Sequence, residues 1–488
     1  MQPAFSFDEV HVVSDLHLGG ADGFQIFAQA KELAGLVDFL RKKPKEQRIA
    51  LVINGDFIDF LAEAPAKPFD PHGATAKLDR IASDGSFALV WKALTRFART
   101  PERALLINIG NHDLELALPW VREHLVGIIT GNDDAARGRV RVSYDGAGFA
   151  LRVGPARVLC VHGNEVDAWN YGDHETIRRI GRDLNARRDV EPWIPNAGTQ
   201  LVINVMNEVK LKYPFVDLLK PEKAAVVPIL LTLEPALVSR VPDLFPAGAR
   251  RSWDRVRKGI GFLGEDEALC DTDGGRPARS RCEARKASSE AARALLDITE
   301  ERFRAGADAL ALSASGGGSE FLSGWRSAWK LVTGDRVEAL REALEALKED
   351  DTFKLQAHDE TFDALDRSVG PEVDVLIAGH THLERAIARR NGTGYYYNSG
   401  TWARLIELDA EVLDDPVAFA GVYDVLSRKH VQELDALPEL VQKRASFVSV
   451  WRDGNLARSE LRRFRAGAGP RPFDTVPGSD FATRGSGS

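Results

Sequence analysis

Five short apolar runs, spread over most of the chain, each stop at a residue able to ligate a metal ion. Run 373–378 stops at Gly379-His380-Thr381-His382. Run 9–14 stops at Asp15-Leu16-His17, and run 48–53 stops at Asn54-Gly55-Asp56. Run 104–109 stops at Gly110-Asn111-His112-Asp113, and run 157–161 at His162-Gly163. Runs this short and this rich in β-branched residues read as buried strands. Their alternation with helical patterns places most of them parallel in one sheet, so that their carboxyl ends share an edge. A chain built this way gathers its Asp, Asn and His side chains into one cluster. Of eleven histidines, five lie at these strand tips.

The residue types suggest the chemistry. Imidazole beside carboxylate suits manganese, iron or zinc better than magnesium or calcium. His380 and His382, one residue apart in an extended segment, point to opposite sides and can reach two ions or two sides of one cluster. Asn111 offers a neutral carbonyl oxygen. His112, the next residue, points elsewhere and could stand over the metals as a proton donor, with Asp113 orienting it. Asp59 reads either as a partner behind a metal ligand or as a helix N-cap, and the local pattern favours the cap. Cys160 lies inside a strand, where packing is its expected role.

Composition narrows the class. The chain has 488 residues, 44% hydrophobic and 28% charged, enough for a large core and more than one domain. Its net charge of -8 provides no global field to recruit nucleic acid. Cys160, Cys270 and Cys282 are an odd number without Cys-x-x-Cys spacing, which argues against a disulfide framework or a Cys-based zinc site. A reducing, cytoplasmic setting is expected. No signal peptide is expected, and the apolar run 224–238 is too short and too broken by Pro228, Glu234 and Pro235 to span a bilayer.

Taken in order, Ser14-Asp15-Leu16-His17, Gly55-Asp56, Gly110-Asn111-His112-Asp113, His162-Gly163 and Gly379-His380-Thr381-His382 resemble the motif series of the calcineurin-like metallophosphoesterases. The resemblance covers residues 10–164 and about 374–451. It implies an α/β fold, a four-layer α-β-β-α sandwich, with two divalent metal ions. Asp15, His17 and His382 would bind one ion, and Asn111, His162 and His380 the other, with Asp56 bridging. Manganese is the preferred ion, with iron or zinc as alternatives. Two cations roughly 3.5–4 Å apart can clamp a phosphoryl group and lower the pKa of a bridging water for in-line attack. His112, assisted by Asp113, would stabilise the transition state or protonate the leaving oxygen.

The interval between His162 and His380 exceeds what such a core needs. The expected organisation is a first core part at 1–164, a large, mainly helical insertion or cap at 165–352, a second core part at 353–465, and a flexible tail at 466–488. Helical periodicity appears at 24–42 and 86–99 in the core, and at 175–189, 200–213, 222–239, 287–305 and 336–349 in the insertion. Arg178, Arg179 and Arg182 are weak candidates for holding a substrate phosphate; a solvated helix face is at least as good a reading. Run 224–238, with Leu211, Phe215 and Leu218, reads as the insertion's own core before it reads as an acyl groove or membrane-facing surface.

The expected function is hydrolysis of a phosphomonoester, phosphodiester or pyrophosphate bond in a small-molecule or lipid-linked substrate selected by the insertion. The first and fourth motifs are also similar to those of UDP-diacylglucosamine pyrophosphatases. Those carry Gly-Asn-Arg-Asp at the third motif, where His112 stands here, and a much smaller insertion. A nuclease and a non-catalytic scaffold are the remaining alternatives. The acidic balance weakens the first, and the complete ligand set weakens the second. Peripheral membrane contact stays open, and nothing in the sequence sets an oligomeric state.

Overall fold

The computed structural model describes residues 5–219 and 353–483, apart from 168, 191, 192, 391, 409, 429, 437 and 439, together with residues 337, 338, 340, 341 and 344. The strands in chain order are β1 (Phe5–Phe7), β2 (Glu9–Val13), β3 (Ile49–Asn54), β4 (Arg103–Asn108), β5 (Val140–Ser143), β6 (Phe149–Val153), β7 (Ala156–Cys160) and β8 (Val375–Ala378). They continue as β9 (Glu384–Ala388), β10 (Tyr395–Ser399), β11 (Leu405–Ile406), β12 (Val441–Gln442), β13 (Ser446–Asp453), β14 (Leu456–Phe464), β15 (Phe473–Thr475) and β16 (Phe481–Thr483). The helices that matter below are α1 (Ala30–Arg41), α2 (Ala74–Ser83), α3 (Ala88–Arg99), α4 (Pro119–Thr130), α5 (Asp134–Arg137), α6 (His174–Asn185), α7 (Ala197–Leu201), α8 (Asn207–Lys212), α9 (Glu360–Ser368), α10 (Ala410–Asp414) and α11 (Pro416–Arg428).

The strands form two main sheets. One has the order β1-β6-β7-β8-β10-β9; the other runs β15-β14-β13-β2-β3-β4-β5, with β16 also pairing β14. Alternation along each strand explains how they stack. Val10, Val12, Ala50, Val52 and Leu106 of the second sheet pack against Val153, Val158, Val375, Ile377 and Tyr397 of the first. The intervening residues Val13, Leu51, Ile53, Leu105 and Ile107 turn outward onto α1, α3 and α4. On the far side, Leu376, Ala378 and Tyr396 pack against Phe362 and Leu365 of α9. The result is helix, sheet, sheet, helix.

The ligand-bearing strands are divided between the two sheets, whereas strand–helix alternation alone places them in one. β2, β3 and β4 are mutually parallel in one sheet, and β7 and β8 are parallel in the other. Their carboxyl ends meet because the sheets are stacked, and at that edge the His380 N–H after β8 donates to Asp15 Oδ1 after β2 at 3.1 Å.

Other departures have local causes. The first helix begins at Ala30 rather than near residue 24, because Arg404 Nη1 donates to the carbonyls of Gln25, Ile26 and Phe27 at 2.8, 3.2 and 3.1 Å and holds that stretch outside a helix. The Gly- and Pro-rich tail is not flexible throughout: β15 and β16 pair with β14, and Phe481 stacks on Tyr395 with ring centroids 5.1 Å apart.

Of the expected insertion, only the start and a few later residues are described. α6 lies on the core, its Ile177 joining Leu114, Leu118 and Val121. Residues 202–206 form a π-helical turn between α7 and α8. Val205, Val209, Phe215 and Leu218 then join Leu340, Leu344, Leu413, Phe419 and Leu426 in a separate apolar cluster. Phe215 and Leu218 are therefore core residues, while Leu211 is 67% exposed. The run 224–238 and the helical patterns at 222–239 and 287–305 lie outside the described residues, as does most of 336–349.

Candidate metal centre

The strand tips place their side chains in three overlapping groups: Asp15, His17 and His382; Asp56, His162 and His380; and His17, Asp59 and His112. Within each group the potential ligand atoms lie within 4.8 Å of one another. His17 Nε2 and His382 Nε2 face each other at 3.1 Å, and His382 Nε2 is 3.3 Å from Asp15 Oδ1. Asp56 Oδ2 is 3.2 Å from His162 Nε2 and 3.8 Å from His17 Nε2, so this carboxylate lies between the first two groups.

The backbone at these residues is unusual. Asp15, His17, Asp56, His380 and His382 all have positive φ, between 48° and 71°. L-residues adopt this region only when the surroundings hold them there, and such strain concentrates at functional sites. His380 and His382 thus reach different groups through a left-handed turn after β8, not through an extended strand. Close approach also depends on missing side chains. A Cβ on Gly55, whose φ is +91°, would overlap the His162 ring, and one on Gly110 would overlap the Asp56 carboxylate.

The donor set fits divalent cations. Asn111 Oδ1 is buried without a hydrogen-bond partner, and His162 Nε2 makes no well-directed hydrogen bond, with only the Asp56 carboxylate 3.2 Å away. Leaving such atoms unpaired costs about 1–3 kcal/mol each, which a bound cation would relieve. His162 Nδ1–H donates to Asn54 O at 2.8 Å, which turns Nε2 toward Asp56. The His17 Nδ1–H donates to Asp59 Oδ2 at 3.2 Å, which turns its Nε2 toward His382. Backing of this kind fixes tautomer and ring orientation for metal binding.

Electrostatics bind the group together. Burial disfavours the charged forms of Asp15, Asp56, His112 and His162, but neighbours of opposite charge reverse this. Contact with His382 brings Asp15 down to about 2. The Asp56 carboxylate raises His162 to about 10, and His162 in turn holds Asp56 well below the usual carboxylate range. His112, opposed by its own burial, is raised to about 9 by the Asp59 and Asp56 charges.

Two expected roles change hands. Asp113 does not orient His112. Its Oδ1 accepts the Gly110 N–H at 2.6 Å and its Oδ2 accepts the Phe57 N–H at 2.8 Å, tying the β3 and β4 loops together. Asp59 orients His112 instead, with Oδ1 3.1 Å from His112 Nδ1. The helix cap read from sequence is not formed: no helix starts after Asp59, and the same oxygen accepts the Ala62 N–H at 3.0 Å within a turn. Arg178, Arg179 and Arg182 are not brought to the centre. They are exposed on α6, and engage Glu175, Thr176 and Asp183 of their own helix.

Behind the site, Asn398 Nδ2 donates to Gly379 O at 2.6 Å, and Thr401 Oγ1 donates to Asp15 O at 2.8 Å. The turn after β10 therefore supports the ligand backbone. Asp167, which carried no sequence signal, places Oδ2 2.7 Å from His380 Nε2.

Residues 9–219 match the family model described as calcineurin-like phosphoesterase. The chain carries a calcineurin-like phosphoesterase domain. No curated protein matches the chain. The family match stops before His380 and His382, and it is the stacking of the two sheets that brings these residues to the matched motifs. The calcineurin-like family and the clustered His and Asp side chains support a metal-dependent phosphoesterase. Among the described residues, no helix is long and apolar enough to cross a membrane.

Proposed function

We propose that this calcineurin-like phosphoesterase domain is a dinuclear hydrolase of phosphomonoester, phosphodiester or pyrophosphate bonds. Its substrate would be a phosphorylated small molecule or a lipid-linked phosphate, acting in a cytoplasmic setting. The observation that carries this reading is the position of His112, held by Asp59 against the paired His and Asp groups. Asp15, His17 and His382 would hold one ion, and Asn111, His162 and His380 the other, with Asp56 reaching both. Manganese is the preferred ion. Bound divalent ions would supply charge neutralisation for the phosphoryl oxygens and an acidified attacking water.

The protein's own groups supply the rest. Asp59 takes the Nδ1–H of His112, so Nε2 is the atom that delivers a proton to the leaving oxygen. The Asp59 and Asp56 charges favour the protonated form of that imidazole; bound cations at the neighbouring groups would oppose this and lower its pKa. α8 carries the substrate-selecting side of the site. Asn207 Nδ2 donates to Leu61 O at 3.2 Å, two residues beyond Asp59. Lys210, one turn on, pairs with Asp217, and its charge acts on His112.

The test is metal analysis of the purified protein beside hydrolysis of p-nitrophenyl phosphate and bis-p-nitrophenyl phosphate with added Mn²⁺. Two ions per chain with turnover of either ester is the expected result. Protein that binds no divalent ion, or that stays inert on aryl, nucleotide and lipid-linked phosphates when loaded, would overturn the proposal.

A further inference from the structure

The histidines of the centre differ in which ring nitrogen is already engaged. His17 and His162 each use Nδ1 for a fixed acceptor, Asp59 Oδ2 and Asn54 O, and present Nε2 inward. His380 does the reverse. Its Nε2 meets Asp167 Oδ2 at 2.7 Å, and the two side chains are only 8% and 5% exposed.

Asp167 is itself held. It follows a 3₁₀ turn at Asn164–Val166, and its N–H donates to Asn164 O at 3.1 Å. Its Oδ1 accepts the Trp169 N–H at 3.0 Å, and its Oδ2 accepts Asn170 Nδ2–H at 2.8 Å. The turn is anchored to the β7 tip by Glu165, whose carboxylate accepts the N–H groups of His162 and Gly163 at 3.3 and 2.6 Å. One loop therefore carries both His162 and the carboxylate that faces His380.

We infer that Asp167 is a positioning residue of the second metal site, accepting the Nε2–H of His380 so that His380 binds its ion through Nδ1. A carboxylate behind a metal-bound imidazole selects the tautomer, fixes the ring plane and raises the basicity of the donor nitrogen. His17 and Asp59 stand in this relation at the first site. Asp167 and His380 repeat it at the second with the nitrogens exchanged.

The inference rests on the metal-dependent reading, and the experiment separates the two. Chelated wild-type protein is titrated with Co²⁺, following uptake by calorimetry and site geometry by the visible d–d bands, beside Asp167→Ala, Asp167→Asn and Asn170→Ala. Wild type takes up two ions. Asp167→Ala keeps one site near wild-type affinity and loses roughly 10–100-fold at the other, with altered d–d bands. Asp167→Asn, which retains an acceptor oxygen, recovers most of that affinity. Asn170→Ala disturbs the loop but keeps the carboxylate, and so retains both sites; this separates a metal role from simple loop support. Two ions bound by Asp167→Ala with wild-type affinity and spectrum would overturn the inference while leaving the dinuclear reading intact. Wild type that takes up no Co²⁺ would remove both.

Discussion

His112 Nδ1 lies 3.1 Å from Asp59 Oδ1, and the other oxygen of the same carboxylate lies 3.2 Å from His17 Nδ1. One buried side chain thus orients both the imidazole proposed to ligate a metal and the imidazole proposed to give up a proton. Asp59→Asn removes the charge and leaves an acceptor oxygen. The protonated form of His112 loses its nearest support, so its pKa falls. Where that proton is used in the reaction, the alkaline limb of the kcat/KM profile moves to lower pH, by about 1–3 units. The profile is measured at saturating Mn²⁺, because His17 loses part of its backing as well. A limb that stays in place would remove His112 from the proton-transfer role.

Replacing His112 itself separates binding from chemistry. His112→Ala should leave two ions per chain, because His112 faces Asp59 and adds nothing to the two sets that converge on Asp56. Turnover should fall by about 10²–10⁴-fold. Asp56→Asn should do the opposite, weakening uptake at both sites, since its Oδ2 faces His162 and His17 together. Metal analysis of both variants beside their rates decides the assignment. An emptied centre in His112→Ala would place that residue among the ligands.

These roles show what the sequence could and could not carry. The clustering of the proposed ligands was legible because each closes a short apolar run, and a strand tip is where a parallel sheet presents its side chains. Asp59 was not, because its decisive partner lies 53 residues away while a local helix cap would explain it equally well; no helix follows it, and its Oδ1 serves His112 and the Ala62 N–H of a turn. Asp113 misled for the converse reason. Adjacency to His112 suggested contact, but its carboxylate turns back to Gly110 N and across to Phe57 N. The tail from residue 466 reads as flexible by its Gly and Pro content. Three residues in each of β15 and β16 suffice to dock it, because β14 offers a long edge and Tyr395 a ring for Phe481. Asp167 had no periodicity or motif to mark it.

Glu115 predicts a pH dependence of stability apart from the chemistry. It is 1% exposed, and its Oε1 accepts the Asp70 N–H at 2.9 Å. Burial pushes its pKa up from 4.5 to about 7. A carboxyl raised on folding favours the native state below its unfolded value near 4.5, and that contribution is lost as pH climbs through about 7. Glu115→Gln keeps the acceptor and cannot ionise. Wild type should therefore lose stability relative to the variant between pH 5 and pH 8, by on the order of a few kcal/mol. Urea unfolding of both proteins at the two pH values gives the comparison. Parallel pH slopes would mean that Glu115 ionises without cost inside the fold.

Lys210 supplies the sign opposite to Asp59. Its positive charge acts on His112 to lower the imidazole pKa, against the two carboxylates that raise it. Lys210→Ala should therefore move the alkaline limb to higher pH, where Asp59→Asn moves it to lower pH. The displacement should be smaller, on the order of a few tenths of a unit, because Lys210 is paired with Asp217 and partly solvated. The same variant reports on substrate selection. α8 is tied to Leu61 through Asn207, and Lys210 lies one helical turn further along that face. A leaving group bearing its own negative charge should then lose affinity in Lys210→Ala, through KM, while neutral aryl esters keep theirs. Michaelis constants for p-nitrophenyl phosphate and for a nucleoside diphosphate, taken across pH in both proteins, test the two effects together. An alkaline limb that moved downward in Lys210→Ala would show that this lysine does not act on His112 in solution. Equal KM changes for both esters would place it outside the substrate's reach.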